Sequence, residues 1–386
     1  MPRRLHILLL SALCYAACSP GGSTIHTEHL APGVDHHEIH LLAGPWWIHV
    51  IEVDLQRALR EGIRLQTAKA DHRQGGFQRT STMADVAIAA VNGDYFYQRG
   101  RPLGLQIQRG ELLQEPHRFS SALALSAAGE PLVAVFKLRA GLITPGGEVV
   151  SISGLNREPA ASGLTLYNRF GKAWQDSVRA ELGFQLQQTE PGSPINDTLS
   201  LRVTQVRRKG WPLRLESRQW SLAAGSDHAI GEIIAPGDTI QLFCNLPPAD
   251  EKLGEAIGGG PRIIRDGSIS IEHVAEHLDQ TFATARHPRT AVAYSKAGRT
   301  LFLVTVDGRQ PGYSVGMSLE ELADFLRNRL AEFTSSRANA HQALNLDGGG
   351  ATTVVVNGQV VNRPSDPTGE RPVANALLIV RDEAEL

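Results

Sequence analysis

The segment Leu-Asn-Leu-Asp-Gly-Gly-Gly occupies residues 344–350 and decides how the rest of the chain is interpreted. It begins as an apolar strand, places Asp347 at the end of that strand and continues into three glycines. Three successive residues without side chains forfeit packing and cost conformational entropy, so a specific need for bare backbone is indicated. Tight packing between strands is one such need. The close approach of a ligand is the other, and the position directly after Asp347 favours it.

The composition limits the classes of protein that this chain can belong to. It has 386 residues with 38 Lys+Arg against 40 Asp+Glu, and its formal net charge is −2. A hydrophobic content of 42% and only 3 cysteines exclude a disordered or a disulfide-stapled chain. There is no basic excess, so nucleic acid is not expected as a partner.

Three more segments combine glycine with Asp, Asn or Arg in a way that ordinary strands do not need. They are Asn-Gly-Asp-Tyr-Phe at 92–96, Ile-Gly-Gly-Gly-Pro-Arg at 257–262, and His-Pro-Arg-Thr at 287–290, which leads through a strand to Asp-Gly-Arg at 307–309. An Asn-Gly or Asp-Gly pair is also a common hairpin turn. Asn357-Gly358 therefore receives no functional interpretation.

Charged residues within and after these segments are the best candidates for chemistry. Arg289 and Arg371 lie beside prolines, and a guanidinium offers a planar fork that matches phosphate or carboxylate. Asp307, Asp347 and Glu370 are the candidate catalytic carboxylates. The alternatives are surface ion pairs for the arginines and solvated turn residues for the acids. Acids, arginines and bare glycines together fit a sugar-phosphate site better than a set of chance turns.

Short strand signals separated by turns dominate the chain after about residue 35. The clearest helix is predicted over Ser318 to Phe333, where Ser318 and Glu321 form a capping-box pattern. A weaker helix is predicted over Thr80 to Ala89. Closely spaced strands with isolated helices predict an α+β fold, with mixed or antiparallel sheets and a few packed helices in a single large domain.

The amino terminus predicts export. Arg3 and Arg4 precede a short apolar run, and small residues precede Cys18, as in the signal peptides of bacterial lipoproteins. We therefore predict a signal peptide at 1–17, lipidation of Cys18, a tether over 18–34 and the main domain at 35–386. The protein would be anchored to the bacterial cell envelope by lipid alone, and a plain secretory signal is the alternative.

Neither the remaining cysteine nor the clustered histidines are predicted to take part in chemistry. Cys244 lies in an apolar run without a disulfide partner and is predicted to be a small buried hydrophobe. His36, His37 and His40 are clustered, and a second pair is spaced four residues apart at 273 and 277. Neither set has the carboxylate spacing of a zinc protease motif, so both are predicted to be ordinary surface residues.

Taken in order, the motifs resemble the phosphodiester glycosidase family. The resemblance rests on residues 92–96, 258–261, 287–291, 304–309, 316–323, 344–350, 360–366 and 369–377. It extends from about residue 45 to 380 and is densest in the last third of the chain. Asp94 stands where the family more often has a glycine, and Ala351 stands where it usually has a serine, which bears on the substrate more than on the reaction.

The resemblance implies an enzyme that hydrolyses a sugar-1-phosphodiester at the anomeric carbon, with an envelope or imported glycan as its partner. Arg289 and Arg371 would hold the phosphate, Asp347 and Asp307 would lie nearest the sugar, and Glu370 is the alternative acid or base. The remaining substrate-binding residues predicted in this way are Asn92, Asp94, Gly348, Gly349 and Asp366.

Two other functions remain open from the sequence. Asp94, Asp307 and Asp347 could hold a divalent cation and hydrolyse the P–O bond instead, as a metal-dependent phosphodiesterase. A glycan-binding protein without catalytic activity is the third possibility. No cofactor is required by the sequence, and a divalent cation is compatible with it.

Overall fold

A computed structural model describes residues 17–19, 22–72, 75–116, 120–171, 181–208 and 215–382. The predicted signal peptide lies outside the described residues except for Ala17. Only the backbone of the predicted lipidation residue, Cys18, is described, in a short strand.

Strands make up most of the described chain. The amino-terminal strands are β1 Ala17–Ser19, β2 Ser23–Ala31, β3 Val34–Leu41, β4 Trp46–Asp54, β5 Ile63–Lys69, β6 Ala89–Asn92, β7 Gln106–Gln108, β8 Glu111–Gln114, β9 Ser121–Ser126, β10 Pro131–Val135, β11 Arg139–Ile143, β12 Val149–Ile152 and β13 Gly154–Leu155. They are followed by β14 Leu164–Tyr167, β15 Leu182–Gln188, β16 Thr198–Arg208, β17 Gln219–Ala224, β18 Thr239–Asn245, β19 Leu253–Gly258, β20 Arg262–Arg265, β21 Ser268–Ile269, β22 Arg289–Tyr294, β23 Thr300–Val306, β24 Gln342–Asn345, β25 Val354–Val356, β26 Gln359–Val360 and β27 Asn375–Arg381.

Within the described residues these strands form sheets of nine, eight, five and five strands. The nine-stranded sheet has the order β1-β2-β3-β4-β23-β22-β24-β20-β21, and the eight-stranded sheet the order β12-β11-β18-β16-β15-β17-β14-β13. The smaller sheets have the orders β10-β9-β19-β7-β8 and β26-β25-β6-β27-β5. Neighbouring strands are antiparallel apart from the parallel pair β13 and β14. The α+β prediction therefore holds in its coarse form, with sheet strongly predominant.

Helices are short and few in the described residues. The α-helices are α1 Leu55–Arg60, α2 Thr80–Met83, α3 Gln280–Thr284 and α4 Leu319–Asp324, and α4 continues as a π-helical turn over Phe325–Arg329 and a 3-10 turn over Leu330–Glu332. Further 3-10 turns cover Ala70–His72, Ala229–Glu232 and Gly349–Ala351. The predicted capping box is confirmed, because Ser318 and Glu321 bond each other's backbone N–H. The predicted helix over Thr80 to Ala89 is too long, since Ala89 already belongs to β6.

One core lies within the eight-stranded sheet and the adjoining five-stranded sheet, and two others lie on the two faces of the nine-stranded sheet. One of these two packs the nine-stranded sheet against the two five-stranded sheets, with Ile51, Val91 and Ile257 among its members. The other packs its opposite face against α4 and the turns that follow, through residues such as Leu322 and Leu326. Complete burial of a leucine side chain contributes about 1.5–3 kcal/mol, which outweighs the weak propensity of so short a helix.

Two predictions about the amino-terminal half of the chain are corrected. The tether predicted over 18–34 is wrong for Ser23–Ala31, which pairs in register with Val34–Leu41 inside the nine-stranded sheet. The histidines at 36 and 37, predicted to lie on the surface, are 4% and 1% exposed. Cys244 is buried and free, as predicted. Among the described residues, no helix combines the length and apolarity that crossing a bilayer requires.

Candidate active site

Strands from three sheets end at one place and bring the predicted motifs together. β6 ends at Asn92, β19 ends at Gly258 and β24 ends at Asn345, and each belongs to a different sheet. The Asn92 side chain donates from Nδ2 to the carbonyl of Asp347 at 2.6 Å, and its Oδ1 accepts a bond from Thr290 Oγ1 at 2.8 Å. Both ends of this amide are therefore occupied. Asn92 thus positions the Asp347 loop, and its predicted role in substrate binding stays a prediction.

Asp94 is a buried carboxyl with one unpaired oxygen. Its Oδ2 accepts a 2.7 Å bond from the backbone N–H of Gly104, whereas Oδ1 has no hydrogen-bond partner in the described part of the chain. Its own N–H donates to the side chain of Asn375 at 2.8 Å, which holds the loop in place. Burial raises the pKa of Asp94 to about 8, and the nearby charge of Asp347 adds to the effect.

Asp347 is a second carboxyl with a raised pKa. It is half-buried, and its N–H donates to the carbonyl of Gly93 at 3.0 Å. Burial raises its pKa to about 7, while the positive charge of Arg371 and a bond from the Gly348 N–H oppose the rise. Two interacting carboxyl groups with neighbouring pKa values share their protons near neutral pH.

Two glycines pack directly against side chains of the candidate site. A Cβ atom on Gly258 would lie 2.6 Å from Asp94 Oδ2 and 2.6 Å from the Cα of Gly104, closer than any real contact. A Cβ on Gly350 would overlap both Asp366 Oδ1 and Arg371 Nη2. The bare backbone inferred from the sequence is therefore required here by close packing against functional side chains.

Arg371 and Asp366, both predicted for substrate binding, form a bidentate ion pair next to Gly350. Together with Arg309 they form what we call the rim of the candidate site. Their bonds are Nε to Oδ2 at 2.7 Å and Nη2 to Oδ1 at 2.9 Å. The Arg371 side chain is 42% exposed, so its remaining N–H donors can reach a ligand.

Arg309 completes the rim and was missed as a site residue by the sequence reasoning. It is exposed, and a Cβ on Gly349 would lie 3.0 Å from its Nη2. Its Nη2 also lies 3.3 Å from Nδ1 of His287. The Asp-Gly-Arg motif at 307–309 was the available signal, but the positive φ of 59° that turns Arg309 toward the Gly349 loop is not visible in a sequence.

Asp307, predicted to be catalytic, accepts three hydrogen bonds that hold its carboxyl in place. Its Oδ1 accepts from Asn362 Nδ2 at 2.9 Å, and its Oδ2 accepts from the Arg363 N–H at 2.9 Å and from Tyr313 OH at 3.1 Å. Through these bonds Asp307 connects the end of β23 to the loop after β26 and stabilises the contact between them.

Arg289 and Glu370 also have other partners than the predicted ones. Arg289 is buried and donates to the backbone carbonyls of Met317, Phe282 and Ala285 at 2.9, 3.0 and 2.8 Å. Glu370 accepts from the N–H and the hydroxyl of Ser81 at 2.8 and 2.5 Å. Arg289 therefore connects β22 to α3 and to the backbone at Met317. Glu370 connects the loop before β27 to α2.

Tyr95 is a further residue that the structure adds to the site. Its hydroxyl accepts a 2.6 Å bond from Asn345 Nδ2 and donates to the carbonyl of Gly260 at 3.0 Å. Burial and the charge of Asp347 raise its pKa well above the ordinary value, so it stays protonated.

The cation site considered as an alternative does not form in the described residues. Asp94, Asp307 and Asp347 do not bring three ligand atoms within the spacing that one ion requires. The oxygens of Asp307 are already used by Asn362, Arg363 and Tyr313. A route through a metal held by these three acids is therefore not supported.

The candidate site combines two carboxyl groups of raised pKa with arginines on an antiparallel scaffold, a set of groups of the kind that glycosidases use. Residues 222–380 match the phosphodiester glycosidase family. The matched region contains Asp347, Arg309 and Arg371, and it confirms the resemblance predicted from the motifs.

Curated relatives are described as a glycosidase that acts on a phosphodiester. The chain is 34% identical over 121 residues to the mouse N-acetylglucosamine-1-phosphodiester alpha-N-acetylglucosaminidase and 33% identical over 121 residues to the human protein of that name. Each match covers 29% of this chain and 21% of the relative. The chain therefore aligns with about a fifth of the length of these relatives.

Two crystal structures share the fold over almost the whole chain. A hypothetical protein from Synechocystis has a TM-score of 0.70 at 20% identity, over 96% of this chain and 68% of that one. A Burkholderia pseudomallei protein described as exported has a TM-score of 0.64 at 17% identity, over 98% of this chain and 100% of that one. At these identities the likeness shows a common fold.

Proposed function

We propose that the protein hydrolyses the glycosidic C–O bond of a sugar-1-phosphodiester, with Asp94 and Asp347 as its acid pair. The observation that carries the proposal is the coupling of these two carboxyl groups, with pKa values raised to about 8 and about 7, beside Arg371. Carboxyl pairs whose pKa values differ through their environments supply the acid and base roles of glycosidases. This assignment replaces the predicted roles of Asp307 and Glu370.

The environments of the two acids assign their roles. Asp347 has the lower pKa because Arg371 stabilises its charge, so it ionises first and stabilises the positive charge that develops on the anomeric carbon. Asp94 keeps its proton at neutral pH, and we assign its buried Oδ1, which has no hydrogen-bond partner among the described residues, to a substrate oxygen. Between the two pKa values the pair holds one proton.

The arginines of the rim bind the phosphate. A phosphate monoester is a good leaving group, so charge stabilisation contributes more than proton donation as it departs. Arg371 is held in a fixed orientation by Asp366, and Arg309 lies over Gly349 on the same loop. A guanidinium matches two phosphate oxygens, and two guanidinium groups balance the added charge.

The sugar is proposed from the relatives, whose names specify N-acetylglucosamine in α linkage. We propose that this protein acts on such a diester in an envelope or imported glycan. Export through the segment 1–17 and lipidation of Cys18 are part of this proposal. Radiolabelled fatty acid incorporated by cells that express the full chain, and lost in Cys18→Ala, would support it.

Hydrolysis in isotopic water tests the bond that is cleaved. The purified chain is incubated with the methyl diester of α-N-acetylglucosamine 1-phosphate in ¹⁸O-water. Label in the sugar hemiacetal supports the proposal, whereas label in the phosphate identifies a phosphodiesterase that cleaves P–O. Binding of the diester without turnover identifies a glycan-binding protein. Asp347→Asn is the matched control and should abolish turnover while leaving the fold intact.

A further inference from the structure

A second polar cluster lies on the nine-stranded sheet, among Asp35, His37 and Glu52. One ligand atom from each of these residues lies within 4.8 Å of the others, and they are the described residues that form such a group. Asp35 and Glu52 are paired directly across β3 and β4. His37 is two residues beyond Asp35 on β3, so all three side chains point to the same face of the sheet.

Each of the three side chains is held by another hydrogen bond. The ring of His37 contacts Thr27 Oγ1 through Nδ1 at 2.9 Å, which directs Nε2 toward Glu52 Oε2 at 2.8 Å. The backbone N–H groups of Ser335 and Ser336 donate to the two oxygens of Glu52 at 2.7 and 2.8 Å. Such second-layer bonds orient the ligands of metal sites, and a ligating histidine usually bonds a partner through its other nitrogen.

The charge of the cluster is not balanced by a permanent cation. Glu52 is 4% exposed and His37 is 1% exposed. Among the described residues, the ion-pairing partners of Asp35 and Glu52 are the histidines at 29 and 37, which are charged only when protonated. Glu52 is buried and the Asp35 side chain is 24% exposed, so a cation bound between the two carboxylates would offset their repulsion.

A candidate for the fourth ligand, His29, lies at the edge of the cluster beside an open cavity. His29 is paired with Asp35 across β2 and β3, and its Nδ1 lies 2.8 Å from Asp35 Oδ1. Its side chain is 58% exposed, which leaves it free to turn. A cavity of about 260 Å³ opens beside it and is lined by Asp35, Glu52 and Arg57 among others, and Arg57 forms no ion pair with either acid in the described residues.

We propose that Asp35, His37 and Glu52, with His29 as the fourth ligand, bind a zinc ion. Imidazole nitrogen and carboxylate oxygen are ligands that zinc accepts in tetrahedral sites, at about 2.0–2.2 Å. Ligand atoms at that distance are roughly 3.3 Å apart in a tetrahedron. The 2.8 Å contact between His37 and Glu52 therefore has to open only slightly when the ion replaces the shared proton.

The ion would have a structural role. It would join β2, β3 and β4 and, through the Ser335 and Ser336 bonds to Glu52, the turn that follows the helical segment beginning with α4. This site is independent of the proposed hydrolysis, because none of its residues belongs to the acid pair or the arginine rim.

Zinc binding can be measured directly on the full chain. The purified protein is stripped with a chelator and titrated with ZnCl₂ by calorimetry, and its Tm is measured with and without the ion. One saturable site per chain and an increase in Tm are expected. Co²⁺ should occupy the same site and give the visible absorption of a four-coordinate ion.

Variants make the assignment specific. His37→Gln should abolish the site, and Thr27→Val, which removes only the hydroxyl that orients His37, should weaken zinc binding about 10- to 100-fold. His26→Gln is the matched control. His26 is an exposed histidine on β2, the strand that carries Thr27, and it lies outside the cluster. Circular dichroism of each variant checks the fold, and Thr27→Val decides the test if His37→Gln does not fold.

Three results would overturn the proposal. They are the lack of a saturable zinc site in the stripped chain, equal zinc affinity in the Thr27→Val and parent chains, and a preference for Ca²⁺ or Mg²⁺ over zinc.

Discussion

The side chain of Asn92 donates a 2.6 Å hydrogen bond to the main-chain carbonyl of Asp347, across 255 residues of sequence. A backbone bond from the Asp347 N–H to the Gly93 carbonyl, at 3.0 Å, runs beside it. These two bonds hold the loop that carries one acid of the proposed pair against the loop that carries the other. The spacing of Asp94 and Asp347 therefore depends on Asn92.

Asn92→Ala should lower both stability and turnover. The substitution leaves the Asp347 carbonyl and the Thr290 hydroxyl without their buried partner, at a cost of about 1–3 kcal/mol each. Urea unfolding at pH 7 measures the loss, and kcat should fall because Asp347 is no longer held. An Asn92→Ala chain with the parent's unfolding midpoint and kcat would contradict the positioning role.

The rate should depend on pH through both acids. The value of kcat/KM should rise through about pH 7 as Asp347 loses its proton and fall above about pH 8 as Asp94 loses its proton. Arg371→Gln removes the charge that lowers the pKa of Asp347, so the rising limb should move to higher pH and the bell should narrow. A profile that is flat between about pH 6 and 9 would disprove the acid-pair assignment.

Asp347→Asn and Asp307→Asn should separate a catalytic acid from a structural one. Asp347→Asn should reduce kcat by about a thousandfold or more with little change in unfolding free energy. Asp307→Asn should cost about 2–4 kcal/mol of stability, because an amide cannot accept all three bonds that the Asp307 carboxylate accepts. Single-turnover rates and urea melts on both variants measure the difference. The reverse pattern would return Asp307 to the catalytic role.

Asp94→Asn should make the protein more stable at alkaline pH while it removes activity. The folded-state pKa of Asp94 is raised to about 8, above its unfolded value of about 4, so its contribution to stability is complete below about pH 4 and is lost as pH rises through 8. An amide does not ionise and avoids this loss. We expect a gain on the order of 5 kcal/mol at pH 9 and none at pH 4, from urea melts at both pH values. Equal unfolding free energies at pH 9 would show that Asp94 is not held protonated.

Gly350→Ala should weaken substrate binding. The added Cβ would displace Asp366 and Arg371 from their ion pair, so KM should rise about tenfold or more, as expected for a lost charged contact. Gly146→Ala is the matched control, since the nearest atom to its Cβ would be Thr144 Oγ1 at 3.8 Å. If both variants keep the parent's KM, the Gly350 loop does not contact the substrate.

Local features of the fold were predictable from the sequence because their interactions lie within a few residues. The capping box of Ser318 and Glu321 and the hairpin of β7 and β8 are of this kind. The tether prediction failed for Ser23–Ala31 because its polar residues alternate across an outer strand, and pairing with β3 supplies their backbone bonds. His37 was misplaced for a similar reason, since its partners Thr27 and Glu52 come from two other strands.

The sequence by itself determined the family resemblance, the order of the glycine-rich motifs and the residue types available for the chemistry. It did so because those features depend on residue identity and short spacing. Only the tertiary structure shows which acids lie together and which already have structural partners, and the proposed acid pair rests on that. A raised pKa requires burial and a neighbouring charge, and Asp94 and Asp347 meet only where strands of different sheets end. The residue types of Asp307, Arg289 and Glu370 suited a catalytic site. Their hydrogen-bond partners come from other parts of the chain, so the sequence could not show that these side chains already make structural bonds.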